Sequence, residues 1–294
     1  MASLTLRKNV DSLTAAELQA LRTAYQKAQQ IMDNRGYNYY SGLHGIPNWY
    51  CWHHEQNRRS NVNANLFLPW HRAYLYFFER ALTDALRRAR DDQAVAVSLP
   101  WWDWTSSSAH TDGLPAGYLA DPGTGDNPLA AGPVTLDDAD LAAVRDNLPG
   151  AITDGPNPVT LRDPDVPDEL PRTQTVTRAL NSTTFSDFSA IAESIHNGVH
   201  GWAGGAMSAV PIAAYDPVFW AHHSMIDRLW YLWQVKHGVD NIPPSYLNRT
   251  LAPWALTVKD VLDIRRLGYS YGASRVRVPA DQFSAVALAG GQPS

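Results

Sequence analysis

Between Phe185 and Trp233 the chain places four of its ten histidines in a spacing that few folds can satisfy. His196 and His200 are four residues apart, so on a helix they project from one face, a turn apart. Further on, Asp216-Pro217 predicts a second helix start. Asp caps free amides, and Pro fits the first turn, where its missing N–H costs nothing. His222 and His223 lie one turn inside that helix. Two such helices can bring three imidazoles to one metal ion, and the rest of the chain has to supply a partner for that site.

A chain of 294 residues can bury a generous core. Eleven Trp and thirteen Tyr favour a rigid aromatic interior. The net charge of −5 and the lack of a basic stripe exclude nucleic acid and anionic membrane as partners. No apolar run is long enough to span a bilayer and the first residues carry no leader-like apolar stretch, so the protein is expected to be soluble, cytoplasmic or exported by a route its sequence does not show. Cys51 is the single cysteine, which excludes an intrachain disulfide.

Thr14 to Glu17 has capping-box spacing, and Leu18, Leu21, Tyr25, Ala28 and Met32 follow at helical intervals, predicting a helix that ends near Asn34 to Gly36. A loop with Gly42, Gly45 and Pro47 is expected to hold His44. After Tyr50 to His54 comes a polar excursion, residues 55–65. Pro69 then opens a helix on which Leu75, Phe78, Leu82 and Leu86 share a face with His71, closed by Asp91-Asp92. Ser98 to Trp104 reads as a buried crossing. Half of the twenty prolines fall between Thr105 and Arg172, predicting a long ordered insertion without a core of its own and with one short helix around Leu136 to Asn147. Lys236-His237-Gly238 stops the second histidine helix, and a short helical segment is expected around Val258 to Arg265.

The histidines form two groups. One contains His44, His53 or His54, and His71; the other contains His196, His200, and His222 or His223. Imidazole suits copper, zinc, iron and nickel, and no carboxylate or second thiol stands at ligand spacing beside either group. Zinc accepts three histidines but has no redox chemistry. An i, i+4 histidine pair alone is more often structural than metal-binding; the surrounding motifs change that balance.

Those motifs resemble the type-3 copper family, which includes tyrosinases, catechol oxidases, o-aminophenol oxidases and molluscan haemocyanins. Phe67-Leu-Pro-Trp-His71-Arg72 with Glu79 is similar to the family's first copper signature. Asp216-Pro-Val-Phe219-Trp-Ala-His-His223-Ser-Met-Ile-Asp227 is similar to the second. His196-Asn197-Gly-Val-His200 with Gly204-Gly205, and Tyr269 and Tyr271 in LGYSYG, resemble the intervening and closing motifs. The resemblance covers roughly residues 40 to 272. It implies a mainly α fold, a four-helix bundle holding a dicopper centre, with long ordered loops and few short strands. Residues 1–272 would form the catalytic domain and 273–294 a short tail.

The resemblance further implies that His44, His53 and His71 bind one copper ion and His196, His200 and His223 the other, with His54, His110, His222 and His237 outside the ligand set. In the signature three residues separate the ligand from the aspartate, here Asp227, which favours His223 over His222. Cys51-Trp52-His53 resembles the family's Cys-x-His, implying a Cys51–His53 thioether. Phe219 would pack over the metal pair, Val210 would be the gate, and Gly201 would leave an open mouth for substituted phenols. Asn197 would orient a water that takes the proton from a monophenol, with Glu193 as its acidic partner and Asp187 as the other candidate. Asp227 and Arg72 would support the ligands from behind, and the Trp101 to Trp104 aromatics would be core.

Two departures stand out. The family's second ligand usually lies eight or nine residues before the third, where this sequence has Asn63 and Val62, so His53 as ligand requires residues 55–65 to loop out. Glu193 lies near, not at, the usual offset of the acidic partner. The activity implied is copper-dependent ortho-hydroxylation of monophenols and oxidation of o-diphenols to o-quinones, with dioxygen as co-substrate. The alternatives are a catechol or o-aminophenol oxidase without hydroxylase activity, and a haemocyanin-like dioxygen-binding protein. The few residues after LGYSYG favour an enzyme over a covered carrier. The partner expected is a small phenol, a copper-delivery protein is allowed for, and oligomeric state is left open.

Overall fold

The computed structural model describes residues 4–46, 49, 51–53, 66–239, 242 and 244–272. His54, Asn63, Val62, the 55–65 excursion and the 273–294 tail lie outside the described residues. The fold is mainly helical, as expected. Seven helices of eight residues or more carry the described chain: α1 (Ala15–Gln29), α2 (Tyr37–His44), α3 (Phe67–Arg90), α4 (Asp138–Asn147), α5 (Thr173–Leu180), α6 (Phe185–Ala203) and α7 (Pro217–His237). Two short strands, β1 (Thr5–Arg7) and β2 (Tyr269–Tyr271), pair in parallel with Thr5 opposite Tyr269 and Arg7 opposite Tyr271.

The helix starts follow the local chemistry. Thr14 and Glu17 form the reciprocal capping box of α1. Asp216 accepts from the Val218 amide at the start of α7, with Pro217 in its first turn. Three boundaries differ from expectation. α1 stops at Gln29, leaving Met32 67% exposed. A side chain at Gly36 would collide with the Ile31 carbonyl, so the chain doubles back there too tightly for a helix to continue. His44 also proves to be the last residue of a helix, α2, instead of part of a loop. At the other end, the segment around Val258 is a single turn that stops at Val261.

α7 is buried almost all round and forms the centre of the molecule. α3 and α6 pack against it. α3 turns Leu75, Phe78, Leu82 and Leu86 inward on the face that bears His71. The Trp101 to Trp104 crossing is buried, and Arg228 of α7 lies 4.3 Å over the Trp101 ring. The proline-rich insertion has more core than its composition suggested. Val134, Val144, Ala151 and Ile152 pack with Ile46, Ala206, Ile212 and Tyr215, a small cluster borrowed from both sides of the chain. Arg162 clamps this insertion to the start of α7. Its guanidinium donates to both Asp216 oxygens (2.6–2.9 Å) and to the Tyr118 and Leu129 carbonyls.

A buried ionic knot ties α3 to α7 and to both strands. Arg72 Nε donates to Asp227 Oδ1 (2.5 Å), and Arg7 donates to Glu79 (2.9 Å) and to Asp227 (3.3 Å). Tyr269 (2.7 Å) and Tyr271 donate their hydroxyls to the other Asp227 oxygen. Burial alone would raise the Asp227 carboxyl, but Arg72 and Arg7 together hold it below the usual carboxylate range. The Arg72–Asp227 pair thus lies in the interior, one residue after His71 and one turn after His223.

Candidate metal centre

α6 presents His196 and His200 a turn apart, and α7 brings His223 against them. His223 Nε2 lies 3.1 Å from His196 Nε2 and 3.2 Å from His200 Nε2. Three nitrogens bound tetrahedrally at the usual metal–imidazole distance would stand about 3.3 Å apart, so this spacing fits one ion. His222 belongs to the same cluster, with a ring nitrogen within 4.8 Å of the other three and its ring stacked on His196 at 5.1 Å.

The second trio is assembled from separate elements. α2 ends on His44, α3 carries His71 in its second turn, and His53 comes from the helical pair Trp52–His53. Ring centroids are 5.5 Å apart for His44 and His71 and 5.1 Å for His53 and His71. α2 is held by Tyr37 and Ser41, which donate to the Tyr215 and Ala214 carbonyls just ahead of α7. The two trios share a wall, since His71 stacks on His223 at 4.3 Å.

For four of the six rings the outer nitrogen settles which way the ring faces. His44 Nδ1 donates to the Val210 carbonyl (3.0 Å), His71 Nδ1 to the Phe67 carbonyl (2.8 Å) and His200 Nδ1 to the Met207 carbonyl (2.6 Å). His196 Nδ1 donates to Asn197 Oδ1 (2.9 Å). Oxygens of this kind only accept, so Nδ1 carries the proton and Nε2 keeps its lone pair for a metal. Burial, then the neighbouring imidazoles, pushes His196 and His223 well below the ordinary histidine range. Burial brings His200 to about 4, partly opposed by its bond to Met207. Neutral imidazoles with inward lone pairs and no carboxylate in the set suit copper better than calcium or magnesium.

His53 differs from the others. Its Nδ1 lies 2.8 Å from Cys51 Sγ, closer than a van der Waals contact, and Cys51 is fully buried. His110 and His237 lie apart from both trios, turned toward the Pro171 and Leu180 carbonyls.

A cavity of about 380 Å³ opens over both trios and is lined by His44, His53, His71, His196 and His200. Glu193, Asn197 and Gly201 line it from one stripe of α6, and Val210, 42% exposed, lines it as well. A side chain grown from Gly201 would meet nothing within 4 Å. Asp187 is instead exposed in the first turn of α6, accepting from the Thr184 hydroxyl. Phe219 is buried 4.0 Å from His223 and 4.8 Å from His44 but is not among the lining residues. The phenyl facing the cavity is Phe67, 4.7 Å from His196. Phe67 stands four residues before His71, a spacing that could have marked it as part of the site.

A helical protein in which two neighbouring sets of three imidazoles meet at one cavity, with five of the six rings lining it, is built as a binuclear metal protein. Comparison with known proteins gives the family. Residues 34–236 match the common central domain of tyrosinase. Hemocyanin 2 of Megathura crenulata is 30% identical over 295 residues, covering 90% of this chain and 8% of the relative. The hemocyanin beta-C chain unit G of Helix pomatia is 30% identical over 253 residues, covering 84% and 56%. The chain therefore spans only part of these relatives. A functional unit of octopus hemocyanin superposes with a TM-score of 0.68 at 27% identity, covering 92% of this chain and 68% of that one. Burkholderia thailandensis tyrosinase superposes at 0.67 with 20% identity, covering 96% and 77%, a likeness of fold. The chain belongs to the tyrosinase family of type-3 copper proteins.

Proposed function

We propose that this chain is a copper-dependent phenol oxidase that hydroxylates monophenols at the ortho position and oxidises o-diphenols to o-quinones, with dioxygen as co-substrate. The observation that carries this reading is the shared cavity, which gives a small phenol access to both imidazole trios and to a carboxylate on the same wall. His44, His53 and His71 would hold one copper ion, and His196, His200 and His223 the other. When bound, the two ions supply the electron exchange with dioxygen that side chains lack. One monophenol and one dioxygen yield one o-quinone and one water; two o-diphenols and one dioxygen yield two o-quinones and two waters.

The protein's own groups bind and handle protons. Phe67 and Val210 flank the ring of the substrate, and the absence of a side chain at Gly201 lets a para substituent leave the cavity. Glu193 and Asn197, one turn apart on α6, hold a water that takes the proton from the phenol hydroxyl. Asn197 Oδ1 also fixes the His196 ring. The Cys51–His53 contact supports a thioether between Sγ and Cε1, the ring carbon next to Nδ1. That bond forms as the thiol and the ring carbon each lose a hydrogen, and the two hydrogens reduce dioxygen to hydrogen peroxide.

The sequence similarity to hemocyanins favours a second reading, a dioxygen-binding protein. Oxygen uptake by the copper-loaded chain separates the readings. Uptake with tyramine and with catechol supports the proposal. Uptake with catechol or o-aminophenol alone indicates an oxidase without hydroxylase activity, and reversible dioxygen binding without phenol turnover overturns the enzyme reading.

A further inference from the structure

The rings that touch the two trios differ in kind. Among the described residues, the rings other than histidine against His196, His200 and His223 are the phenyls of Phe67 and Phe219, which resist oxidation. On the other side Trp70 touches all three imidazoles, at 6.4 Å from His44, 6.1 Å from His53 and 5.0 Å from His71. Trp70 is fully buried and lies 5.4 Å from Trp254, which is partly exposed. Its indole N–H donates to the Ala252 carbonyl (2.7 Å), two residues before Trp254. From the N-terminal trio to the surface there are thus two indoles in ring contact and no aliphatic gap.

Packing accounts for the area these rings bury, but a phenylalanine at either place would also fill a core. An indole gives up an electron far more readily than a phenyl and can keep its N–H when it does so. Tyr74, 4.8 Å from Trp70 and 6.0 Å from Trp254, is the poorer station. Its hydroxyl donates to the Tyr40 carbonyl, which cannot take the proton that a phenol sheds on oxidation.

We propose that Trp70 and Trp254 form an electron relay that carries oxidising equivalents from the N-terminal trio to the protein surface when no phenol occupies the cavity. The relay rests on the reading that this trio holds copper. Electrons move inward one at a time: Trp70 supplies the oxidised centre, Trp254 refills Trp70, and a thiol or ascorbate-type reductant refills Trp254. With hydrogen peroxide as oxidant, two electrons and two protons convert one peroxide to two waters. Without a reductant the loss stays on Trp254, which ends with one added oxygen while the peroxide becomes one water.

The copper-loaded chain, with its metal content measured, is exposed to hydrogen peroxide without phenol, digested and mapped by mass spectrometry. The relay predicts that Trp254 carries most of the added oxygen, and that the metal-free chain leaves it largely unmodified. W254F should raise oxidation of His44, His53 and His71 several-fold, and W254Y should restore protection. W70F, checked for folding by circular dichroism, should leave Trp254 unmodified despite its exposure. Should W70F not fold, the contrast between W254F and W254Y decides. Equal oxidation of Trp254 in the metal-free chain, or no rise in histidine oxidation in W254F, overturns the relay. A chain that takes up no copper overturns the metal reading, and the relay with it.

Discussion

At the scale of single residues, the carboxylate at position 193 tests how the site handles protons. Glu193 stands one turn before Asn197 on the cavity wall, whereas Asp187 lies in the first turn of α6, which Thr184 caps, about 13 Å along the helix from His196. Glu193→Gln keeps the shape and removes the base. The expected outcome is a fall in the monophenol rate of about 100-fold or more with the catechol rate much less affected, read from initial rates on tyramine and catechol. Equal losses on both would show that Glu193 acts on fold or metal and not on the phenolic proton. Cys51 gives a second test: the intact mass of the mature copper-loaded chain should be two hydrogens lighter than the translated sequence, and Cys51→Ser should abolish the difference. Much of this site was legible from spacing, because His196, Asn197 and His200 sit on one helix and His223 follows a strong cap. The four-residue spacing from Phe67 to His71 puts both on one face of α3, but the spacing alone does not tell a ring that lines the cavity from one, like Phe219, that is buried against the histidines without lining it.

At the scale of elements, the orientation of α3 against α7 fixes how far His71 stands from His223, and Arg72 with Asp227 locks that orientation. Both side chains are buried, so removing one partner leaves the other charged in the interior. Asp227→Asn should therefore destabilise the chain by about 3–5 kcal/mol, measured by urea denaturation, whereas Asp33→Asn, which breaks an exposed, solvent-screened pair with Arg35, should leave the urea midpoint essentially unchanged. The starts of α1, α3 and α7 could be read from Thr14, Pro69 and Asp216-Pro217 because capping is local chemistry. The end of α1 and the helical state of His44 could not, because both depend on distant backbone. Gly45, read as loop punctuation, is where the Pro211 carbonyl passes so close that no side chain fits. Arg7 gave no signal either; its partners Glu79 and Asp227 lie 72 and 220 residues away, and an arginine near a polar start looks like a solvated charge.

At the scale of the whole molecule, neutral histidines buried together make the metal-free fold sensitive to acid from about pH 6.5 downward. An unfolded histidine takes its proton near pH 6.5, but His200 in the fold does so only at about 4, and His196 and His223 are likewise lowered. Between those values the unfolded chain binds more protons than the folded one, so stability is fully present above about pH 6.5 and falls as the pH drops toward 4. Each pH unit is worth about 1.4 kcal/mol per histidine, so His200 alone contributes about 3 kcal/mol. Asp227 adds no loss in this window, since its carboxyl is held below the usual carboxylate range and its stabilisation disappears only as the pH falls further. Urea midpoints of the metal-free chain should therefore decline steadily from pH 7 to pH 4.5. Copper should raise the midpoint most near neutral pH, because it binds only neutral imidazole and stabilises the state that binds it. The gap between loaded and metal-free chains should then close as the pH falls, and a profile that stays flat to pH 4.5 would show that His196, His200 and His223 are not held neutral together.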